Sequence, residues 1–339
     1  MTVPAQFNFI DGGERAPGNL NYYAALGVTA NGFGNFGGKS FFLSDDPQTS
    51  GFAPPNFSAA TCYWTVRLYL LNWSSPPQYV ALYNSAGTEQ LKIQFNSDGS
   101  ATLFSGNVQL SKTAQGIFQI QTIFQISIGA KIDPATGFVN VYLNGNPTPV
   151  PGLSVTSADT AQGDSSNLPI TGLHVFVWSN SGYFRDISCH DGTGPAPLNG
   201  PLGDCGAELT MPNGNVSSAL VPSTGTSNAA IYAATPPGSA YCGSSTVGAA
   251  DTVTIAPLPA NVLSVIGFKA FDYAAKSDTG SRAIQKTVTS GSTNAVGAEN
   301  FLNETPVPTE DLYTTDPATG AAITVAAYNA LKLTETVAA

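Results

Sequence analysis

TCYWTVRLYLLNW, residues 61–73, alternates along its length. Cys62, Trp64, Val66, Leu68 and Leu70 fall on one side of an extended chain, and Tyr63, Thr65, Arg67 and Tyr69 on the other. Successive strand side chains point to opposite faces, so one face is apolar and the other mixed. Such a strand belongs in a two-layer sandwich.

The same pattern recurs downstream. QYVALYN (78–84) runs into the turn NSAG, EQLKIQF (89–95) runs into NSDGS, and ATLFSG follows at 101–106. IFQIQTIFQISIGAKID (117–133) and FVNVYLNG (138–145) flank a turn. There Pro134 presets φ and Gly137 supplies a position suited to φ > 0, which predicts a hairpin. GLHVFVWSN (172–180) and YFRDISCHD (183–191) close the series. Upstream, FIDGG, NGFGNFGG and FAPPNF split residues 1–60 into short strand-like pieces, with a strand expected at KSFFL (39–43). Residues 1–191 thus read as one all-β domain.

GTGPAPLNGPLGD (192–204) is dense in glycine and proline and reads as a linker. A second domain is expected over 205–339. Residues 205–250 are polar, with weak periodicity. DTVTIAPL (251–258), NVLSVIGFKAFDYAAKS (261–277) and SRAIQKTVTSGS (281–292) read as strands, and the alanines allow helix in part of 262–275. Residues 296–313 read as irregular. AAITVAAYNALKL (321–333) has the spacing of one short helix near 322–331. The fold class is therefore all-β, a sandwich followed by a second sandwich-like domain with one short helix.

Charged residues are only 10% of the chain, against about 25% in an ordinary soluble domain. The net charge is −10, and Lys276, Arg282 and Lys286 form only a dispersed basic set. Phosphate neutralisation needs clustered cations, so nucleic acid is excluded as a partner. MTVPAQFNFIDGG has no basic start before an apolar core, and LPANVLSVIGF (258–268) is too short to span a bilayer. A chain made in the cytoplasm, without membrane insertion, is expected.

No phosphate-binding loop, nucleophile elbow or zinc-protease motif is present. His174 shares a strand face with Phe176 and Trp178, and core or cross-strand packing is expected of it. His190 stands between Cys189 and Asp191, but neighbours in an extended chain diverge, so adjacency makes no Cys–His pair. No strand displays paired carboxylates for glycoside hydrolysis. Asp11, Asp186 and Asp191 are candidate calcium ligands if the first domain's terminal strands pair, with solvated turn carboxylates as the other reading. Cys189–Cys205 and Cys205–Cys242 stand as candidate disulfides beside free thiols. Tyr22, Tyr23, Phe33 and Phe36 lie in glycine-rich loops and suit stacking on a sugar or filling a neighbour's groove.

FNFIDGG, IDPATGFVNVYLNGNP (132–147) and GYFRDISCHDGTG (182–194) together resemble the laminin-G/concanavalin-like jelly roll of phage structural proteins. GPLGDCGAELTMPNGN, YCGSSTVGAADTVTIAPLP, AKSDTGSRAIQKTVTSGST and DPATGAAITVAAYNALKL resemble the companion domain of those proteins. The resemblance implies a non-enzymatic virion component, in the tail, neck or fibre or attached to the capsid. It would act through contacts with other virion proteins, as a homo-oligomer. It supplies no catalytic residues, and Arg185 stands where the resembled group has an acid. A carbohydrate-binding host-attachment module is the alternative, and a glycan hydrolase the poorest fit.

Overall fold

The computed structural model describes residues 57–73, 77–162, 168–177, 182–194, 196–206, 210–234 and 240–339, with the backbone of five short strands before residue 57. The chain divides into two compact units, Pro4–Ala207 and Glu208–Ala339.

The first unit comprises β1 (Phe9–Asp11), β2 (Tyr23–Ala24), β3 (Val28–Phe33), β4 (Gly38–Leu43), β5 (Gln48–Phe52), β6 (Thr61–Leu70), β7 (Tyr79–Asn84), β8 (Glu89–Phe95), β9 (Ala101–Ser105), β10 (Val108–Lys112), β11 (Ile123–Lys131), β12 (Gly137–Leu143), β13 (Ser154–Ala158), β14 (Ile170–Val177) and β15 (Gly182–His190). They form two antiparallel sheets. The first has the order β13-β12-β11-β6-β15-β4-β3, with β1 also on β15, and the second β10-β9-β8-β7-β14-β5-β2.

Alternation builds the core between them. Trp64, Val66 and Leu68 of β6 join Ile126 and Ile128 of β11 from one side, and Val80, Leu82, Ile93, Leu103, Leu173 and Val175 from the other. Ile126 sits opposite Val66 and Ile128 opposite Trp64. Burying each such side chain stabilises the fold by about 1.5–3 kcal/mol. Trp64 also meets Phe57 edge-on at 5.3 Å.

The hairpin joining β11 and β12 forms as the turn residues require, with Asp133 accepting from the amides of Ala135 and Thr136. Gly137 serves a different purpose from the expected positive φ. A Cβ there would collide with Thr160 Oγ1 and with the carbonyls of Ala158 and Asp133. The run 117–133 is strand only from Ile123 onward. Residues 198–206, partly within the expected linker, lie against the first sheet: Leu198 is buried, and Arg67 donates to the Cys205 carbonyl at 2.8 Å.

The second unit comprises β16 (Pro212–Ser218), β17 (Val221–Pro222), α1 (Asn228–Tyr232), β18 (Cys242–Gly243), β19 (Ala250–Ile255), β20 (Phe268–Ala274), β21 (Ala283–Ser290), β22 (Thr293–Phe301), β23 (Val307–Tyr313), α2 (Val325–Asn329) and β24 (Lys332–Val337). A five-stranded sheet has the order β16-β19-β24-β21-β22, and β20–β23 and β17–β18 pair separately. Ala270, Val288, Ile323, Tyr328 and Leu331 form its apolar cluster. Hydroxyl caps start both helices, Ser227 on Ala230 N and Thr324 on Ala327 N.

The chain is thus all-β, with two multi-strand domains and minor helices. The single helix expected near 322–331 is α2, and α1 is an addition. Within 261–277 only Phe268–Ala274 is strand. Residues 296–313, expected to be irregular, contribute to β22 and β23. Every β22 residue is at least partly exposed, so this edge strand carries no apolar alternation to read.

Candidate functional site

The outer face of the second sheet gathers aromatic and polar side chains in cross-strand rows. The inner positions of β7, β8, β9 and β14 belong to the core, so the intervening positions point outward. Phe176, Tyr79, Gln94 and Thr102 are successive partners across four strands. The next row is His174, Ala81, Lys92 and Phe104, and Tyr83 faces Glu89 beyond it. Ala81 is the one small residue of its row and is buried beneath its larger neighbours.

Cross-strand pairing sets the ring geometry. Tyr79 and Phe176 stack with centroids 4.8 Å apart and planes 11° from parallel. Tyr83 and His174 stack at 3.9 Å and 25°. His174 Nδ1 lies 3.1 Å from Glu89 Oε1. Lys92 Nζ sits 5.4 Å from the Tyr79 ring and 5.3 Å from the Phe104 ring, within cation–π range of both. Burial opposes Glu89 ionisation. Hydrogen bonds from His174 and Tyr79, with the His174 and Lys92 charges, nonetheless hold its carboxyl below the ordinary carboxylate range. Phe176 and Tyr83 are buried in these stacks, so the face presents the half-buried Tyr79 and Phe104 rings, with an ionised acceptor and a cationic donor beside them.

The first sheet's outer face is closed by its own chain. Arg67 reaches Gln125, Asp204 and the Cys205 carbonyl, and Gln125 bonds the backbone of Gly203 and Cys205. Asp186 interrupts β15 in a left-handed conformation, φ 54°, at a bulge against β6. Its carboxylate is matched by Arg67 at 3.2 Å and Arg185 at 2.9 Å.

The expected site residues disperse. Asp186 faces two guanidiniums, which neutralise it in place of a cation. Asp191 accepts from the Thr193 amide and hydroxyl in a turn. Asp11 pairs its backbone with Ile187, so the terminal strands do meet as expected. Among the described residues no cluster of three or more His, Cys, Asp or Glu is placed to hold a metal. Tyr22 and Phe36 lie outside the described residues, and Tyr23 and Phe33 are described in backbone only.

Cys189, Cys205 and Cys242 are free thiols. Cys189 lies in the first core beside Cys62, and burial pushes the Cys62 thiol up to about 12. His190 stacks on Tyr63 at 5.0 Å, and burial pushes it down to about 4, so it is neutral at pH 7. His174 packs across strands, stacked on Tyr83 and beside Glu89, the second of the two packings expected for it.

No family model matches the chain, and no curated protein matches it. Solved structures do. An alginate lyase from a Chlorella virus is 9% identical, over 51% of this chain and 93% of that one, with a TM-score of 0.35. The carbohydrate-binding module CBM66 from Bacillus subtilis is 9% identical, over 51% and 97%, at 0.36. The catalytic domain of a glycoside hydrolase family 131 protein from Coprinopsis cinerea is 12% identical, over 60% and 94%, at 0.35. At these scores no residue here acquires a role from them.

These findings correct the expected kinship. The matching structures are carbohydrate-active enzymes and binding modules, not phage virion proteins, so the tail, neck or capsid role does not stand. The expectation of a non-enzymatic chain is withdrawn with it. Among the described residues no helix is long and apolar enough to cross a membrane.

Proposed function

We propose that the first unit is a jelly-roll sandwich of the laminin-G/concanavalin type, and that the outer face of its second sheet binds carbohydrate. The stacked Tyr79–Phe176 pair beside the Glu89–His174 pair carries this reading. A sugar ring has an apolar C–H face and a rim of hydroxyls. The half-buried Tyr79 ring, backed by Phe176, accepts the first, while Glu89 and Lys92 accept and donate to the second.

A glycan array probed with the full chain tests the proposal, followed by calorimetry on the best hit. Tyr79→Ala with Phe176→Ala should weaken binding at least about tenfold, roughly 1.4 kcal/mol. Tyr241→Ala, at an exposed ring of the second unit, should leave it unchanged. An array without hits, or a double variant that binds as tightly as the parent, would falsify the assignment.

A second reading has the same face cleave its glycan by acid–base chemistry. The 3.1 Å Glu89–His174 contact favours it. Glu89 is the one carboxylate on β7, β8, β9 and β14, so chemistry there would run through this pair rather than two carboxylates. New chain ends released from a bound polysaccharide, and lost in His174→Ala, would establish cleavage. A bound but intact glycan would leave binding alone.

A further inference from the structure

Lys286 is fully buried, with no exposed side-chain surface. It projects from β21 between Ile284 and Val288, both of which are buried on the same face. Its Nζ lies 3.3 Å from Asp272 Oδ1, on β20 of the β20–β23 pair. Thr309, directly opposite Asp272 on β23, bonds both groups. Glu335 of β24 is the direct cross-strand neighbour of Lys286, and Asp251 of β19 the direct neighbour of Glu335 on its other side. One amine and two carboxyls thus converge between the five-stranded sheet and the β20–β23 pair, with the amine fully buried and the Asp272 side chain 19% exposed.

Isolated charges in such a place cost several kcal/mol each unless they are matched. An amine held against a carboxyl carbon in fixed geometry also has another outcome open to it. Orientation of this kind is equivalent to an effective concentration of about 10⁵ M or more. We propose that Lys286 and Asp272 join in an intramolecular amide bond, with Glu335 as the proton-transferring group.

The step balances without an external reagent. Within the ion pair a proton passes from Lys286 Nζ to the Asp272 carboxylate, and the amine attacks Cγ. A C–N bond forms and the C–OH bond breaks. Glu335 takes the proton released by nitrogen and delivers one to the departing hydroxyl. One water leaves, and Glu335 ends as it began. Burial, then the neighbouring Asp272 charge, pushes the Glu335 carboxyl well above the ordinary carboxylate range, which favours its proton-bearing form beside the pair. The product replaces two buried charges by a neutral amide between β20 and β21.

Asp311, also facing this core from β23, is the competing carboxyl. Its Oδ2 has no hydrogen-bond partner. It lies opposite Ala270 rather than in the Lys286–Thr309–Asp272 chain.

Intact-mass measurement on the denatured full chain tests the bond, followed by sequencing of its proteolytic fragments. The expected mass is one water below that of the sequence, with a branched peptide joining Lys286 to Asp272. Glu335→Gln and Asp272→Ala should each restore the full mass, and Glu335→Gln should melt at a lower temperature. The wild-type mass decides even where a variant does not fold. A full-mass wild-type chain overturns the proposal. So does a lost water that fragments place elsewhere, in a succinimide or on Asp311.

Discussion

In the first unit the buried cluster between the sheets is apolar, and the charges of the central strands fall on alternate, outward positions: Arg67, Lys92 and Lys131. In the second unit a row of ionisable side chains crosses the inner face of the sheet, Asp251–Glu335–Lys286, with the apolar row Val253–Leu333–Val288 beside it. The first core is specified by shape and area, which tolerate small changes. The second depends on polar groups matching one another, where a missing partner leaves an uncompensated charge. A chain with few charges has thus placed several of them inside its smaller unit.

The largest expected effect breaks the first side of this comparison. Trp64→Ala should cost about 3–5 kcal/mol and lower the first unit's melting transition while leaving the second in place. Calorimetry resolving the two transitions checks this, and a joint shift would show that the cores are not independent. Asp251→Ala should act in mirror image. It removes the acceptor of the Ala219 and Leu220 amides, of Asn228 Nδ2 and of the Tyr232 hydroxyl, at about 3 kcal/mol, read in the second transition alone.

pH sharpens the contrast. Glu89 is held below its ordinary value and His190 is pushed down to about 4, so their contributions are complete above the unfolded values and fade as pH falls. Glu335 is raised. Its contribution is complete below the ordinary carboxylate value and fades as pH rises toward the folded one. From pH 4 to 7 the Glu89 and His190 terms stabilise the first unit while the Glu335 term weakens the second. Melting temperatures against pH should show this, and Glu335→Gln should flatten the second slope. A slope unchanged in that variant would place its origin in other groups. The smallest effect belongs to the outer face. Lys92→Gln should lower stability by under about 1 kcal/mol, the loss of its contacts over Tyr79 and Phe104. A larger change in the first melting transition would mean that Lys92 supports more than those two rings.

Strands of the first unit were legible wherever one face is buried, because burial imposes alternation on the residues themselves. The run 61–73 is strand from Thr61 to Leu70, and 138–145 is strand to Leu143. The edge strand β22 left no such mark. The candidate face was legible only in part. Alternation assigned His174 and Phe176 to one side of their strand, but Tyr79, Glu89 and Lys92 join them only through the pairing of β14 with β7 and of β7 with β8. Loop aromatics near the N-terminus drew attention because glycine flanks them, a signal unrelated to which rings stack.

The DPATG pentapeptide marks the boundary between the two kinds of information. Both copies, at 133–137 and 316–320, form turns in which the aspartate accepts from the backbone, as local chemistry dictates. In the first, Gly137 has no room for a side chain because Thr160 and the carbonyls of Ala158 and Asp133 crowd it. In the second, Gly320 adopts φ 69° in open space. Composition, alternation and turn residues by themselves determined an all-β chain, its hairpins and most of its strands, since these follow from neighbours in sequence. Tertiary structure alone decided which faces meet, why Asp186 lies between two arginines, and how Lys286, Asp272 and Glu335 converge. Those contacts join strands far apart in the chain, and no local pattern records them.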